Sequence, residues 1–590
     1  MSKHYILING IIYLFMVSVF SCTNKKNPEM IDIWTQSSYV NVFKDFTKGE
    51  NDFPEIYLVI AKNESESFQA LLRSNHSFTV NKVEFKDLFS GKKRISANHL
   101  DYKFVEYVYM GENSWHQNEQ TVVRWGAGFY PDPLSNNKDM KVEAGETQSI
   151  WITFHVPPET SPGLYKGYAT IYTSLGKCTV TIKAEVNDVT IPDAIESDFD
   201  IMIHQQIAGT WFYDATRGNH PQDVIRQIYG HERWTPEWWE LVGDMADKMR
   251  RSRMNVLFVN TQQLLLDAPG TKLENGVFTF DWTKFDEYIQ FFLDKKAVNK
   301  FEALHFGSTI GAVGKTYQSY ILTNNDHGEL CSSNVEPMSE KCLLFHSQFL
   351  KALYAHLKEK KWLEMWIQHI GDEAESELQH RQYAYYMDKL KQQAPDMQCG
   401  DPTYTLKSAH NAVLHGATIV TPILDLYQTY KNAFDSIQQL GITVYCYNCC
   451  VPTYNWLNRM IDKPVWNQRL LGWLCYKWGI SGWLHWGWNF WVEWFQTTFH
   501  DVDDAAFKGD HYSVYPDIEN NKIKASIRTE ILRDMGEEYE LLRILGKKNP
   551  QQALDLVNKV VSDASNNYTK DVEKMISVRN ELIRACAENK

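Results

Sequence analysis

Between Ile31 and Pro192 apolar and polar positions alternate in short runs, as in Ile56-Tyr57-Leu58-Val59-Ile60, Ser149-Ile150-Trp151-Ile152-Thr153-Phe154 and Tyr168-Ala169-Thr170-Ile171-Tyr172. A period of two places alternate side chains on one face of a pleated strand, so each run predicts a half-buried β-strand. Pro157-Pro158 and Ser161-Pro162-Gly163 separate such runs, and this spacing predicts a β-sandwich. After Pro192 the rhythm changes. Eight apolar runs follow: Phe199 to His204, Asn255 to Asn260, Glu302 to Phe306, Met365 to Ile370, Met397 to Gly400, Thr418 to Leu426, Ile442 to Tyr447 and Gly482 to Trp488. Amphipathic stretches lie between them: Pro236 to Arg251, Phe285 to Lys295, Lys341 to Lys358, Leu378 to Gln393, Tyr430 to Leu440 and Asn455 to Lys477. Eight strands alternating with such helical stretches predict a (β/α)8 TIM-like barrel, closed by a helix near Ile527 to Leu545. A doubly wound sheet alternates in the same way, but no glycine-rich phosphate loop follows the first strand. The expected organisation is a leader at 1–21, a β-sandwich at 22–195, the barrel at 196–545 and C-terminal helices at 546–590, packed on the outside.

The first residues change the picture of where the chain works. Lys3-His4 precedes an apolar stretch from Tyr5 to Phe20, broken by Asn9-Gly10 and followed by Ser21-Cys22. That is a secretory signal, too short for a membrane span of about 20 apolar residues. It is similar to a lipoprotein box, which makes Cys22 the lipidation site and the protein an exported one, lipid-anchored to a bacterial membrane. The residues after it, Thr23-Asn24-Lys25-Lys26, lack an acidic run and favour the periplasmic face over the cell surface. The membrane is a partner through that anchor alone.

Composition excludes other classes. A chain of 590 residues with 44% hydrophobic positions has enough apolar surface for two or three cores. Its net charge of −13 repels a phosphate backbone, so nucleic acid is not an expected partner. Removing Cys22 from the ten cysteines leaves nine, which cannot all pair within the chain. Cys446, Cys449 and Cys450 lack a second CxxC, and His204, His305 and His485 lack HxH or HExxH spacing, so no metal site is expected. These read as buried thiols and as core or sugar-contact histidines. The 20 Trp crowd toward the C-terminal half, in particular Trp483, Trp486, Trp488, Trp491 and Trp494. Most are expected in the core; as a cluster they also suit the flat faces of sugars.

The fourth predicted strand ends in His369-Ile370-Gly371-Asp372-Glu373. Two adjacent carboxylates thus stand at the C-terminal rim of a barrel strand, where this fold builds its active sites. Attraction to the start of the next helix can account for Asp372, Glu373, Glu375 and Glu377; Glu375 and Glu377 fit it well, whereas the placement of Asp372 and Glu373 before the turn favours function. Glycoside cleavage needs one carboxyl to protonate the leaving oxygen and a negative group to stabilise the oxocarbenium-like carbon. Adjacent carboxylates can share this work on a 2-acetamido sugar: one orients the amide, whose oxygen attacks the anomeric carbon, while the other protonates the leaving group. Mutual repulsion helps raise the acid's pKa.

The chain resembles glycoside hydrolase family 123, the exo-acting β-N-acetylgalactosaminidases, and related exported proteins sharing their catalytic domain. The likeness runs through Ala61-Lys62-Asn63-Glu64-Ser65-Glu66-Ser67-Phe68-Gln69, Val156-Pro157, Pro162-Gly163-Leu164-Tyr165-Lys166-Gly167 and Gly371-Asp372-Glu373. It continues in Gly482-Trp483-Leu484-His485-Trp486-Gly487-Trp488-Asn489, Gly509-Asp510, Tyr515-Pro516 and Ile527-Arg528-Thr529-Glu530. The resemblance implies a retaining, substrate-assisted mechanism without cofactor, acting on a glycan with a terminal N-acetylhexosamine. Asp372 would orient the acetamido group and Glu373 would be the acid/base. One departure is the helix Leu532-Arg533-Asp534-Met535-Gly536-Glu537-Glu538-Tyr539-Glu540, where the family pattern often has Arg-Glu-Gly and Asp-Tyr-Glu.

Rim positions supply candidate substrate-binding residues: Asn260, Tyr404, Asp425, Tyr427, Trp486, Trp488 and Asn489. For each polar one, a satisfied hydrogen bond inside the barrel is an equal alternative. Asp425 also offers a competing mechanism, as a nucleophile facing Glu373 in ordinary double displacement. A non-catalytic glycan-binding lipoprotein is the other alternative, against which the retained acid pair argues.

Overall fold

A computed structural model describes residues 31–209, 223–308, 316–491 and 506–588. The leader, Cys22 and Trp494 lie outside the described residues.

The N-terminal unit is sheet-rich. Strands Asp32–Ser37, Ser65–Arg73, Thr147–His155, Leu100–Met110 and Gly128–Ser135 form one sheet in that spatial order. The path of the second sheet runs through Glu55–Lys62, Gly176–Thr190, Gly163–Thr173, Phe78–Phe85 and Met140–Val142, with only the first two of these parallel. Both sheets face one core, with Phe68, Ala70, Leu72, Ile150 and Ile152 from one and Ile60, Val80, Ala169, Ile171 and Ile182 from the other. The period of two in Thr147–His155 predicts one buried face, yet eight of its nine residues are buried. Its outer face is covered as well: Trp151 packs with Val105, Leu134, Val465, Ile527 and Ile531.

In the second unit helices alternate with parallel strands β1 (Asp200–Ile203), β2 (Val256–Val259), β3 (Lys300–Ala303), β4 (Trp366–Gln368), β5 (Gln398–Thr403), β6 (Ile419–Pro422), β7 (Thr443–Val444), β8 (Cys446–Tyr447) and β9 (Gly482–His485). One ladder runs β2-β3-β4-β5-β6-β7 and another β1-β9-β8. Tyr445 alone separates β7 from β8. Between β1 and β2, Asn255 Oδ1 accepts the Ile201 N–H at 2.8 Å and Gln205 Oε1 accepts the Phe258 N–H at 2.9 Å.

Two predicted boundaries fail for local reasons. The sixth run stops at Pro422 and turns into a short helix, Leu424–Thr429, so Asp425 and Tyr427 are helical and do not end a strand. The predicted helix from Asn455 begins only at Trp466, just after Pro464. Before it the chain is a loop, held by side chains such as Asn458, whose Nδ2 donates to Cys449 and Pro452 carbonyls at 2.9 and 3.1 Å.

The units are joined through the helix Ile527–Lys548, buried continuously from Ile527 to Leu542 although it carries many charges. Those charges are paired. Arg469 reaches Asp534 at 3.0 Å and Glu66 at 3.2 Å and also pairs with Glu538. Arg579, on the helix Val572–Glu588, pairs with Glu66 at 2.6 Å and with Glu64. The last helix is therefore tied into the joint between the units. Glu64 and Glu66 belong to the N-terminal motif singled out above, and Arg533, Asp534, Glu537 and Glu538 to the departing stretch.

Candidate active site

β4 ends at Gln368, and His369-Ile370-Gly371 carries the chain to Asp372 and Glu373. Asp401, on β5, fixes this turn from below: its Oδ1 accepts the Ile370 and Gly371 N–H groups at 2.8 and 3.0 Å. The Asp372 N–H donates to the Gly307 carbonyl at 3.0 Å. The Tyr317 ring lies so close to Gly371 that a Cβ there would come within 2.9 Å of it, which requires glycine just before the acid pair. Glu373 has φ of +41°; a left-handed backbone costs a non-glycine residue about 1–2 kcal/mol. The Tyr447 hydroxyl, at the end of β8, donates to its Oε1. Ser376 then starts the helix Glu377–Gln393 with a capping box completed by Gln379. Glu377 lies in the first turn, exposed and paired with Lys407, as a helix-start role requires. Asp372 and Glu373 precede the cap and have no such role.

Both carboxylates are partly exposed, and both are raised from the ordinary carboxylate range. Burial pushes Asp372 up, against the pull of His369 and His204. Burial, and then the charge of Asp372, push Glu373 up to about 7, opposed by the Tyr447 hydrogen bond.

A buried group lies next to them. Glu302, on β3, takes His369 Nε2 at 2.5 Å on one oxygen and His204 Nε2 at 3.1 Å on the other. Burial opposes the Glu302 charge, but the two imidazoles outweigh it and hold the carboxyl below its usual range. His369 Nδ1 meets His305 Nε2 at 2.7 Å, and His305 Nε2 lies 3.8 Å from Asp372. Donor atoms of His204, Glu302 and His369 lie within metal-ligand reach of one another, as do those of His305, His369 and Asp401. Hydrogen bonds already join these groups, and a carboxylate shared by two imidazoles needs no cation to be satisfied.

On the far side, β9 leads to His485 and Trp486. Arg459 donates to His485 Nδ1 at 2.5 Å, leaving the His485 Nε2 proton to point at Asp510, 3.2 Å away. The Trp486 indole N–H donates to the other Asp510 oxygen at 2.8 Å.

The predicted rim residues separate into two groups. Tyr404 is 41% exposed, and burial, then the Asp425 and Glu373 carboxylates, raise its hydroxyl pKa. Trp486 and Asp425 are partly exposed. The other four are taken up by the fold. Tyr427 is buried, its hydroxyl donating to the Trp478 carbonyl at 3.0 Å. Asn260 caps the helix Thr261–Asp267. Asn489 is buried, exchanging two hydrogen bonds with the Gln206 backbone at 2.7 and 3.0 Å. Trp488 is buried in the main core with Trp483 and Trp491. Position at a strand end does not tell which side chains the core consumes; only packing does.

The sequence reading did not single out Tyr447, Tyr317, Glu302 and Asp401, and held Asp510 only as part of the Gly509-Asp510 motif. Tyr447 closes a predicted strand, so the rim rule applied to Asp372 could have found it. The cysteines are free throughout the described residues, with Cys449 and Cys450 sulfurs 3.8 Å apart.

The catalytic-domain profile of glycoside hydrolase 123 matches residues 219–545, and the profile of its N-terminal domain matches 57–173. The chain belongs to glycoside hydrolase family 123. It is a glycoside hydrolase. A solved family 123 member from Clostridium perfringens, described for glycolipid glycan hydrolysis, superposes with a TM-score of 0.70 at 14% identity, over 95% of this chain and 97% of its own. At that identity the likeness shows the family 123 fold alone. A GH10 xylanase with a bacterial Ig-like domain from termite gut gives 0.32 at 9% identity, over 83% and 100%. The endo-β-1,4-mannanase of Thermotoga petrophila gives 0.33 at 10%, over 52% and 74%. Likeness at this level carries no argument about this family 123 member. No curated protein matches the sequence.

Proposed function

We propose that this family 123 enzyme is a retaining, exo-acting β-N-acetylgalactosaminidase that works by substrate assistance. The observation that carries the reading is the pair Asp372 and Glu373, adjacent, partly exposed and both raised, with Glu373 at about 7. In the first step the acetamido oxygen of the bound sugar attacks C1, the glycosidic bond breaks and the leaving oxygen takes the Glu373 proton. Asp372, as a carboxylate, accepts the amide N–H and stabilises the positive charge that develops on the ring formed. In the second step Glu373 takes a proton from water, whose oxygen attacks C1 and reopens that ring with retained configuration. A carboxyl near 7 suits both halves, since it must give and recover a proton at neutral pH.

Three further readings belong to the proposal. The two ladders form one eight-membered (β/α)8 barrel, supported by the Asn255 and Gln205 bonds between β1 and β2 and by the single-residue step from β7 to β8. The sheet-rich unit is a β-sandwich, and the domain limits are those expected from the sequence. The enzyme is lipid-anchored through Cys22, and the glycolipid glycans cleaved by the Clostridium protein are a substrate class within reach of such an anchor.

The test is hydrolysis of aryl β-N-acetylgalactosaminide, β-N-acetylglucosaminide and the 2-hydroxy galactoside. Turnover of the acetamido sugar with retention, collapsing in Asp372→Asn and Glu373→Gln, is expected. Equal turnover of the 2-hydroxy sugar would instead assign Asp425 or another carboxylate as a nucleophile. No turnover of any glycoside would return the glycan-binding alternative.

A further inference from the structure

Between Leu100–Met110 and Gly128–Ser135 the sheet-rich unit sends a long excursion toward the other unit. Its base is fixed. The Ser114 N–H and hydroxyl donate to the two oxygens of buried Asp462 at 2.8 and 2.9 Å, and the Lys508 N–H donates to the Ser114 hydroxyl at 3.0 Å. Farther along, the Val123 N–H donates to the Asp462 carbonyl at 2.9 Å.

From this base an aromatic cluster assembles from three separate segments. The Trp115 N–H donates to the Ala506 carbonyl at 2.8 Å, and its ring centre lies 6.2 Å from that of Phe507. His116 lies 6.5 Å from Phe507 and 6.4 Å from Tyr454, whose N–H donates to the His116 carbonyl at 3.2 Å. His116 and Tyr454 both hold left-handed backbones, at φ of +58° and +53°. Yet the rings are not consumed by the core: Trp115 is 55% exposed and Tyr454 50%. One exposed aromatic is ordinary, but exposed Trp115, His116 and Tyr454 gathered with half-buried Phe507 from three segments on a bonded frame are not.

Two segments of the cluster continue from residues of the candidate site. Asp510, three residues beyond Phe507, carries the Trp486 and His485 contacts at the end of β9. Tyr454 follows the Cys449-Cys450 step beyond β8. The Cys449 thiol, raised first by Cys450 and by burial, also feels the Asp510 and Glu373 carboxylates.

We propose that Trp115, His116, Tyr454 and Phe507 form a saccharide-binding wall for the leaving-group side of the glycan, the sugars that precede the terminal one. Rings offer flat apolar faces to the C–H faces of pyranoses, while the Trp115 indole, the His116 imidazole and the Tyr454 hydroxyl bond sugar hydroxyls. The N-terminal unit thereby becomes part of substrate selection. This rests on the acid pair being the reaction centre, and the test separates the two claims.

Trp115→Ala and Tyr454→Ala are compared with wild type on an aryl β-N-acetylgalactosaminide and on an oligosaccharide ending in the same sugar. The loss of kcat/KM on the oligosaccharide, carried by KM, is expected to exceed that on the aryl glycoside by roughly fivefold to tenfold, the size of a stacked contact. Equal losses on both substrates, or none on the oligosaccharide, overturn the wall. If the wild type cleaves neither, the acid-pair reading fails and calorimetry decides: the oligosaccharide lacking its terminal sugar should bind wild type more tightly than Trp115→Ala. Equal binding, or binding of an alkyl glycoside detergent in its place, overturns the proposal.

Discussion

Two groups of charge, one sealed and one open to solvent, illustrate what neighbours do to a carboxylate. In the joint between the units, Glu66 and Glu530 are held at about 2: burial opposes their charge, but Arg579 and Arg469, or Arg251 and Arg533, outweigh it. Glu373 instead has a hydroxyl and a second carboxylate for company, and rises to about 7. A raised value is not by itself a site. Asp534, in the same joint, is also pushed to about 7 by burial, which outweighs the pull of Arg533 and Arg469. What separates them is access: 1% of the Asp534 side chain meets solvent against 22% for Asp372. A carboxyl that is both unsettled and reachable is equipped for chemistry; one that is sealed is equipped to hold two units together.

The comparison can be broken in three ways. The largest effect belongs to the acid pair: Glu373→Gln and Asp372→Asn should each lower kcat by about 10²–10⁴-fold, the range of a positioned acid or base, with thermal unfolding unchanged. Loss of folding rather than of turnover would place the pair with the structural charges. Next comes the joint. Arg469→Met leaves Glu66, Asp534 and Glu538 facing each other, and breaking such a buried cluster costs about 3–5 kcal/mol, read as a lower denaturant midpoint. An unchanged midpoint would mean that the cluster only records the fold. The smallest effect is the sharpest. As the proposed donor, Glu373 holds its proton only below about 7, so activity should fall as pH rises through that value. The Tyr447 hydrogen bond lowers this pKa, so Tyr447→Phe should move the alkaline limb of the rate profile upward, by less than one unit as a neutral donor allows. A downward move would show that the hydroxyl does not favour the carboxylate.

Much of this was legible in the sequence, where local chemistry decides the outcome. The alternation in Ser149 to Phe154, the strand-helix repeats after Pro192 and the step from His369 to Glu373 are all local patterns. What escaped depends on contacts between distant segments. Glu302, His369 and His204 share a carboxylate from different strands, so no spacing motif reveals them. Tyr427, Trp488 and Asn489 look available on paper because nothing local reports Trp478 or Gln206 as their partners. The charged stretch of Ile527–Lys548 read as a departure from the family pattern; its physical reason is Arg469, far away in the chain.

Arg579 comes 515 residues after Glu64, its partner in the joint. While the chain is being made, Glu64 and Glu66 are complete long before this guanidinium exists, so their burial cannot be fully compensated until the helix that carries Arg579 is in place. The order of synthesis therefore leaves the joint open until the helix Val572–Glu588 is made, and that helix is the clasp that closes it.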